Sequence, residues 1–158
     1  MEQVINVVIA GLGGQGVITA SDILADAAFR AGLDVKKAEI HGMAQRGGSV
    51  SADVRFGPRV LSPMVPAGEA DFLLVLAATE VDVSRTVLKP RGILITTDAV
   101  PHTDSADRRT ANVAMLGVLS RHLDIPEPFW IAALDANLPM ESRQANHQAF
   151  ASGRNQMP

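Results

Sequence analysis

Two glycine-rich segments carry the residues in this chain that are best suited to chemistry. The first contains Gly11, Gly13, Gly14, Gln15 and Gly16, and it matches the pattern GxGxxG. Glycines at such a turn allow the backbone to approach a ligand closely, and N–H groups at the start of a helix favour an anion. The first segment is therefore a candidate cofactor-binding loop.

The second segment combines glycines with four side chains that can donate, accept or pack. It contains Gly42, Gly47 and Gly48 together with His41, Met43, Gln45 and Arg46. Arg46 could hold a phosphate or a carboxylate, and His41 could carry a proton. Each side chain also has a structural interpretation: Arg46 in a surface ion pair, His41 on a strand-end carbonyl, and Met43 filling a gap. The segment is a candidate crevice for a substrate or a partner.

The elements around these segments should place them side by side. Residues 4–10 are an apolar run that ends at glycine, which predicts a buried strand. Residues 17–31 follow the helical period, and residues 34–40 form the next predicted strand. The carboxyl ends of parallel strands lie along one edge of a sheet, so both segments should open onto the same crevice.

The middle of the chain predicts a change of strand type. Residues 49–56 alternate apolar and polar side chains, which indicates an antiparallel strand near an edge with one face in solvent. Gly57 and Pro58 should then turn the chain into a hairpin strand at residues 59–61. These features predict a mixed sheet.

The remaining elements complete an α/β pattern. Two further strands are predicted at 72–77 and 93–97, joined by a helix over 80–88 that Thr79 caps and residues 89–92 break. A polar, turn-rich stretch at 100–109 should precede helices at 111–123, 127–136 and 140–152. We expect residues 1–158 to form a single three-layer α/β/α domain with a mixed, mainly parallel sheet and a helical C-terminal segment.

Composition excludes several kinds of function. The 158 residues carry a net charge of −3 with scattered basic residues, which argues against nucleic acid as a partner. They contain no cysteine, and the four histidines lack metal-ligand spacing, so we expect neither an iron–sulfur cluster nor another metal site. With no signal-like start and no apolar run near about 18 residues, we expect no membrane segment and a cytoplasmic location.

The first segment leaves three interpretations open. Glu39 lies 23 residues after Gly16, where an acid that binds a ribose would stand, so NAD(P) or FAD could bind in a stand-alone oxidoreductase. Alternatively the loop contacts another anion or a partner, or its glycines only permit a tight turn. A polar glycine-bearing loop follows Glu39 directly, where a dinucleotide-binding half-fold would have a second helix. This order argues against the dinucleotide.

Considered together, the segments resemble the gamma-type subunits of the 2-oxoacid:ferredoxin oxidoreductases. The motifs are GLGGQGV at 11–17, EIHGMAQRGGSV at 39–50 and NxxMLGxLS at 112–120, and the resemblance covers about residues 7–97 and 109–150. The second motif points to the indolepyruvate branch of the family. The connection over 98–110 is shorter than in most members of the family. Either this subunit is trimmed, or part of a longer natural chain is absent from the sequence.

This resemblance implies that the chain is an oxidoreductase subunit that is inactive alone and contains no catalytic residue. A larger partner would carry thiamine diphosphate and iron–sulfur clusters, and would pass electrons to ferredoxin and the acyl group to coenzyme A. Glycines 11, 13, 14 and 16, with Gln15 and Arg46, would bind an anionic group of the substrate or of coenzyme A. The crevice for the partner or the substrate would be lined by His41, Gly42, Met43, Gln45, Gly47 and Gly48. A purely architectural subunit is the remaining alternative.

Overall fold

The computed structural model describes residues 2–42, 48–100 and 104–156, with side chains from residue 108 onward in the last range. One five-stranded sheet forms the centre, with the strand order β2-β3-β1-β4-β5. The strands are β1 (Ile5–Leu12), β2 (Asp34–His41), β3 (Ser49–Gly57), β4 (Ala70–Val75) and β5 (Leu88–Thr96). Four strands run in the same direction and β3 runs opposite to them. The predicted α/β class with a mixed, mainly parallel sheet is confirmed.

Helices cover the two faces of the sheet unequally. The helices are α1 (Val17–Arg30), α2 (Val81–Ser84), α3 (Asp104–Ser120), α4 (Glu127–Asn137) and α5 (Arg143–Arg154). The four longer helices pack on one face around a core that includes Phe56, Trp130 and Phe150. The other face buries a smaller cluster around Val8, Leu73 and neighbouring apolar residues. Together the layers form the expected α/β/α arrangement.

Strand β3 lies one strand in from the edge, between β2 and β1. Its antiparallel direction was predicted correctly, but the predicted solvent-exposed face is covered. Asp53 is only 5% exposed, and its carboxylate accepts the N–H of Val65 at 2.9 Å. A segment that we call the strap, residues 58–69, crosses this face. The side chains of Asp53 and Arg55 therefore bind main-chain groups of the strap.

The predicted hairpin strand at 59–61 is wrong. These residues belong to the strap, where the N–H of Val60 donates to Asp34 Oδ2 at 2.7 Å instead of joining a strand ladder. Arg55 donates to the carbonyl oxygens of Ser62 at 2.9 Å and Met64 at 3.3 Å. Side-chain hydrogen bonds thus hold this stretch across the sheet.

The unit from β4 to β5 is parallel, as predicted, but its connection is not the expected helix. Only four residues form α2, with 3-10 turns on both sides, and Thr79 makes no capping hydrogen bond. Residues 89–92 lie inside β5 rather than breaking a helix. Because β5 is an edge strand and its register shifts here, Pro90 is tolerated without an N–H.

The C-terminal helices pack closely, and α3 begins at Asp104, seven residues before the predicted 111, and ends at Ser120. A Cβ atom at Gly153 of α5 would stand 1.9 Å from the carbonyl oxygen of Ala114, and one at Gly117 would stand 2.2 Å from that of Phe150. The backbones of α3 and α5 are therefore in direct contact. Within the described ranges, no helix has the length and apolar character needed to cross a membrane.

Candidate functional site

The structure brings the two glycine-rich segments together at the carboxyl edge of the sheet. The N–H of Gly13 donates to the carbonyl oxygen of Gly48 at 2.9 Å. Strands β1 and β2 end at this edge and β3 begins there, so the second segment is the tip of the β2–β3 hairpin. Met43, Gln45, Arg46 and Gly47 lie outside the described residues.

Backbone geometry makes glycine necessary at several points of the first loop. Gly14 and Gly16 have φ angles of 86° and 82°, in the left-handed region that other residues rarely adopt. Gly11 still belongs to β1, opposite Val50, and a Cβ there would lie 2.8 Å from Gln15 Oε1. The glycines therefore permit both the sharp turn and the close packing behind it.

Gln15 uses its carboxamide inside the protein. Its Oε1 accepts the N–H of Leu12 at 2.7 Å, and its Nε2 donates to the carbonyl oxygen of Leu76 at 3.3 Å. The side chain thereby joins the loop to the end of β4. Gln15 positions the loop, and the donors that face outward are backbone groups.

Two backbone donors of the loop have no partner among the described residues. The N–H groups of Gly14 and Gly16 make no hydrogen bond to another described residue. Helix α1 begins directly after Gly16, with no side-chain cap and no acidic residue in its first turn. The first N–H groups of a helix have no partner within it and carry the positive end of its dipole. This arrangement suits an anion.

Three residues missed by the sequence analysis complete the site. Asn112 of α3, only 7% exposed, donates its Nδ2 to the carbonyl oxygen of Gly16 at 3.1 Å. Ser49 at the start of β3 donates to Glu80 Oε2 at 2.8 Å, which joins the hairpin to the chain after β4. Ser49 and Glu80 stand close to strand ends, a position that could have signalled them. For Asn112, the only signal in the sequence was its place in the third motif.

His41 lies exposed at the end of a row of charges on β2. Lys37 Nζ is 2.7 Å from Glu39 Oε1 and also pairs with Asp22 of α1, while Glu39 Oε2 is 3.8 Å from His41 Nε2. The hydrogen bond and positive charge from Lys37 lower the pKa of Glu39. Burial works to lower the pKa of Lys37, but its bonds to Asp22 and Glu39 outweigh that effect and raise the pKa. The row links α1 to the hairpin.

The position of Glu39 does not favour a dinucleotide. In a dinucleotide-binding fold, the strand that carries the ribose-binding acid is adjacent to β1. Here β3 lies between β1 and β2, which places Glu39 two strand spacings, or about 10 Å, from β1. Its carboxylate is also occupied by Lys37. The interpretation as a stand-alone NAD(P)- or FAD-binding oxidoreductase is therefore not supported.

Two of the solved structures that share this fold come from 2-oxoacid ferredoxin oxidoreductases. The gamma subunit of a keto/oxoacid ferredoxin oxidoreductase from Geobacter sulfurreducens aligns with a TM-score of 0.76 and 22% identity, over 96% of this chain and 94% of that chain. A 2-oxoglutarate:ferredoxin oxidoreductase from Magnetococcus marinus, solved with 2-oxoglutarate, coenzyme A and succinyl-CoA bound, aligns with a TM-score of 0.81 and 21% identity, over 98% of this chain and 31% of that chain. These likenesses establish the fold.

The family model described as pyruvate ferredoxin/flavodoxin oxidoreductase matches residues 6–156, and the chain belongs to this family. The indolepyruvate oxidoreductase subunit IorB from Archaeoglobus fulgidus is 54% identical over 76 residues, which cover 48% of this chain and 37% of that subunit. The matched part is thus less than half of that relative's length. The resemblance found in the motifs is confirmed.

Proposed function

We propose that the chain is the non-cluster subunit of a thiamine-diphosphate-dependent 2-oxoacid:ferredoxin oxidoreductase that acts on indolepyruvate or a related aryl pyruvate. Membership of the family supports the reaction class. The 54% identity to an indolepyruvate oxidoreductase subunit and the sequence HGMAQRGG at 41–48 support the substrate. The chain would support oxidative decarboxylation to an acyl-coenzyme A in a complex with a larger partner.

The cofactors belong to the partner in this proposal. Iron–sulfur clusters are held mainly by cysteine thiolates, and these 158 residues contain none, so the clusters do not fit this chain. Thiamine diphosphate on the partner would supply the chemistry that releases CO₂ from the 2-oxoacid. The clusters would supply electron transfer to ferredoxin, and coenzyme A would accept the acyl group on its thiol. This chain would contribute binding groups at the edge of that site.

The observation that carries the proposed site is the 2.9 Å hydrogen bond between Gly13 and Gly48, which joins the two loops. The N–H groups of Gly14 and Gly16, which bond to no described residue, and the guanidinium of Arg46 would bind one anionic group together. Gly11 and Gln15 would keep the loop in its shape. The anion would be the carboxylate of the 2-oxoacid or a phosphate of coenzyme A. The Magnetococcus marinus enzyme, 31% of whose chain aligns with this fold, was solved with both kinds of molecule bound.

The tip of the hairpin would form the contact with the larger subunit. His41 and Gly42 are exposed at the end of β2, on the side of the crevice. Met43, Gln45 and Gly47 would extend this surface, and Gly48 would fix its far end to the first loop. Polarizable and amide side chains suit an adaptable contact of this kind.

Coexpression with the larger subunit tests the proposal. We expect coenzyme A-dependent reduction of ferredoxin with indolepyruvate from the complex and none from the chain alone. Arg46→Ala should lower kcat/KM by about 10- to 100-fold, because a charge-assisted hydrogen bond is lost. The exposed Arg59 of the strap provides a control, since Arg59→Ala should leave turnover unchanged.

The outcomes separate the alternatives. Wild-type turnover by the Arg46→Ala complex would refute the role of this arginine. Variants that lower the yield of the complex but never change its kinetics would favour a purely architectural subunit. Binding of NAD or NADP to the purified chain, measured by calorimetry, would support the dinucleotide interpretation instead.

A further inference from the structure

The carbonyl group of Gly16 is held by two donors from different parts of the chain. Ala20 donates its N–H at 3.0 Å, which is the first hydrogen bond of α1. Asn112, 96 residues away on α3, donates its Nδ2 at 3.1 Å. Because Asn112 is 7% exposed, water competes little for this bond. The peptide group at the start of α1 is therefore fixed through its carbonyl oxygen.

This support differs from an ordinary helix cap. A residue that caps a helix start is usually extended, and its Ser, Thr, Asn or Asp side chain occupies the free N–H groups of the first turn. Gly16 instead has a φ of 82° and has no side chain, so it does not cap those N–H groups. The stabilising amide comes from α3 and acts on the carbonyl side.

Gly16 and Asn112 also depend on each other sterically. A Cβ atom at position 16 would lie 2.4 Å from Asn112 Nδ2 and 3.0 Å from its Cγ. The carboxamide therefore occupies the space that a side chain at position 16 would need. Glycine is required here both by its φ angle and by the presence of Asn112.

We propose that Asn112 is a positioning residue for the anion-binding loop, an inference that rests on the proposed function. By holding the carbonyl group of the peptide between Gly16 and Val17, it would aim the N–H of Val17 and the N–H groups that follow it in the first turn of α1 into the crevice. The group received there is a carboxylate or a phosphate, from the 2-oxoacid or from coenzyme A. Asn112 itself does not touch the ligand.

Steady-state kinetics of the reconstituted complex test this role. Asn112→Ala should raise the KM for coenzyme A or for indolepyruvate by roughly fivefold, with kcat within about twofold of the wild-type value, because one supporting hydrogen bond is lost. The substrate whose KM rises identifies the source of the anion. Asn112→Asp, which replaces the donor by a negative charge, should raise the same KM further.

Asn146 is a matched control. It is also a buried asparagine, 5% exposed, and its Nδ2 donates to the carbonyl oxygen of Ser142 at 2.9 Å, within the α5 region. Asn146→Ala should therefore remove a similar contact without changing either KM. Equal KM effects for the two asparagines would overturn the positioning role, because they would reflect general destabilisation.

A double-mutant cycle on the full chain tests the contact independently of activity. Gly16→Ala should lower the denaturation midpoint more in the wild-type background than in Asn112→Ala, where the colliding amide is absent. Equal shifts would overturn the proposal, as would an unchanged KM for both substrates in an active complex. If the complex did not oxidise 2-oxoacids, the proposed function would fail. In that case, calorimetry would compare how tightly the wild-type complex and the Asn112→Ala complex bind coenzyme A and indolepyruvate. Equal affinities would overturn the positioning role too.

Discussion

The two faces of the sheet are held by different forces. On the helical face, α1, α3, α4 and α5 enclose a large apolar core, and two helices approach until their backbones touch at Gly117 and Gly153. On the other face, a short helix and the strap cover a small apolar cluster. The strap is fixed mainly by hydrogen bonds from side chains of the sheet to its main chain.

This difference predicts how the molecule responds to damage. Apolar burial and close packing are shared among many neighbours, so a defect there should affect the whole fold. A segment held by a few polar contacts can open while the rest stays folded. The helical face should therefore set global stability, and the strap should open locally at a lower free energy than the whole fold.

The largest effect is expected from Gly153→Ala. In an exposed helix this change would stabilise by about 1 kcal/mol, but here the new Cβ would meet the carbonyl oxygen of Ala114 at 1.9 Å. We expect a loss of about 3 kcal/mol in the free energy of unfolding, measured by urea denaturation. Ser152→Ala, at an exposed neighbouring position, should have little effect. A stabilising Gly153→Ala would show that α3 and α5 are not in backbone contact.

A smaller and local effect is expected from Arg55→Met. Methionine keeps a long unbranched stem like the aliphatic part of arginine. It removes the donors to Asn6 Oδ1 at 2.8 Å and to the carbonyl oxygen of Ser62 at 2.9 Å. We expect a loss of about 1–2 kcal/mol and faster amide hydrogen exchange across the strap, with α3 and α5 still protected. Faster exchange spread evenly over the whole chain would contradict the distinction between the faces.

The smallest effect is expected from Asp53→Asn. Burial raises the pKa of the Asp53 carboxyl above its ordinary value, although the Val65 N–H and the charge of Arg55 act against the rise. The folded protein therefore holds this proton more tightly than the unfolded chain, so stability falls as pH rises from the ordinary aspartate range through the raised pKa. Asparagine retains an oxygen for Val65 and carries no charge.

For Asp53→Asn we accordingly expect a small gain in stability at pH 7, below the loss caused by Arg55→Met, and a weaker dependence on pH. Urea denaturation at a series of pH values from the ordinary aspartate range up to pH 7 compares the two proteins across this dependence. A variant that lost stability at pH 7 would mean that the ionised carboxylate contributes more through Val65 and Arg55 than its burial costs.

Local patterns predicted the elements that bury apolar runs. Strands β1 and β4 and helix α1 lie within a few residues of their predicted positions, because their apolar spacing matches their burial. The strap was mistaken for a hairpin because the hydrogen bond between Val60 and Asp34 joins residues 26 apart in the sequence. Alternating polarity on β3 suggested solvent, whereas the polar side chains face a polar partner within the chain.

The candidate site shows the same limit. Sequence spacing predicted that the two glycine-rich segments would share an edge, and the bond between Gly13 and Gly48 joins them there. The spacing did not show that the carboxamide of Gln15 bonds to the main chain inside the protein, or that Asn112 supports Gly16. Both facts depend on contacts between distant elements, which periodicity does not encode.

The reversed direction of β3 has a consequence for how such domains can diversify. Strands β1 and β2 are parallel, and so are β4 and β5. The connection within each pair must therefore carry the chain from the carboxyl edge of the sheet back to its amino edge. Between β2 and β3 the chain instead leaves and re-enters at one edge, with the N–H of Gly42 bonded to the carbonyl oxygen of Ser49. Because this bond closes the hairpin on both sides, the length and composition of the segment between Gly42 and Ser49 can change while the neighbouring ladders keep their pairing. Under the proposed function, such changes would alter substrate preference while the sheet stays the same.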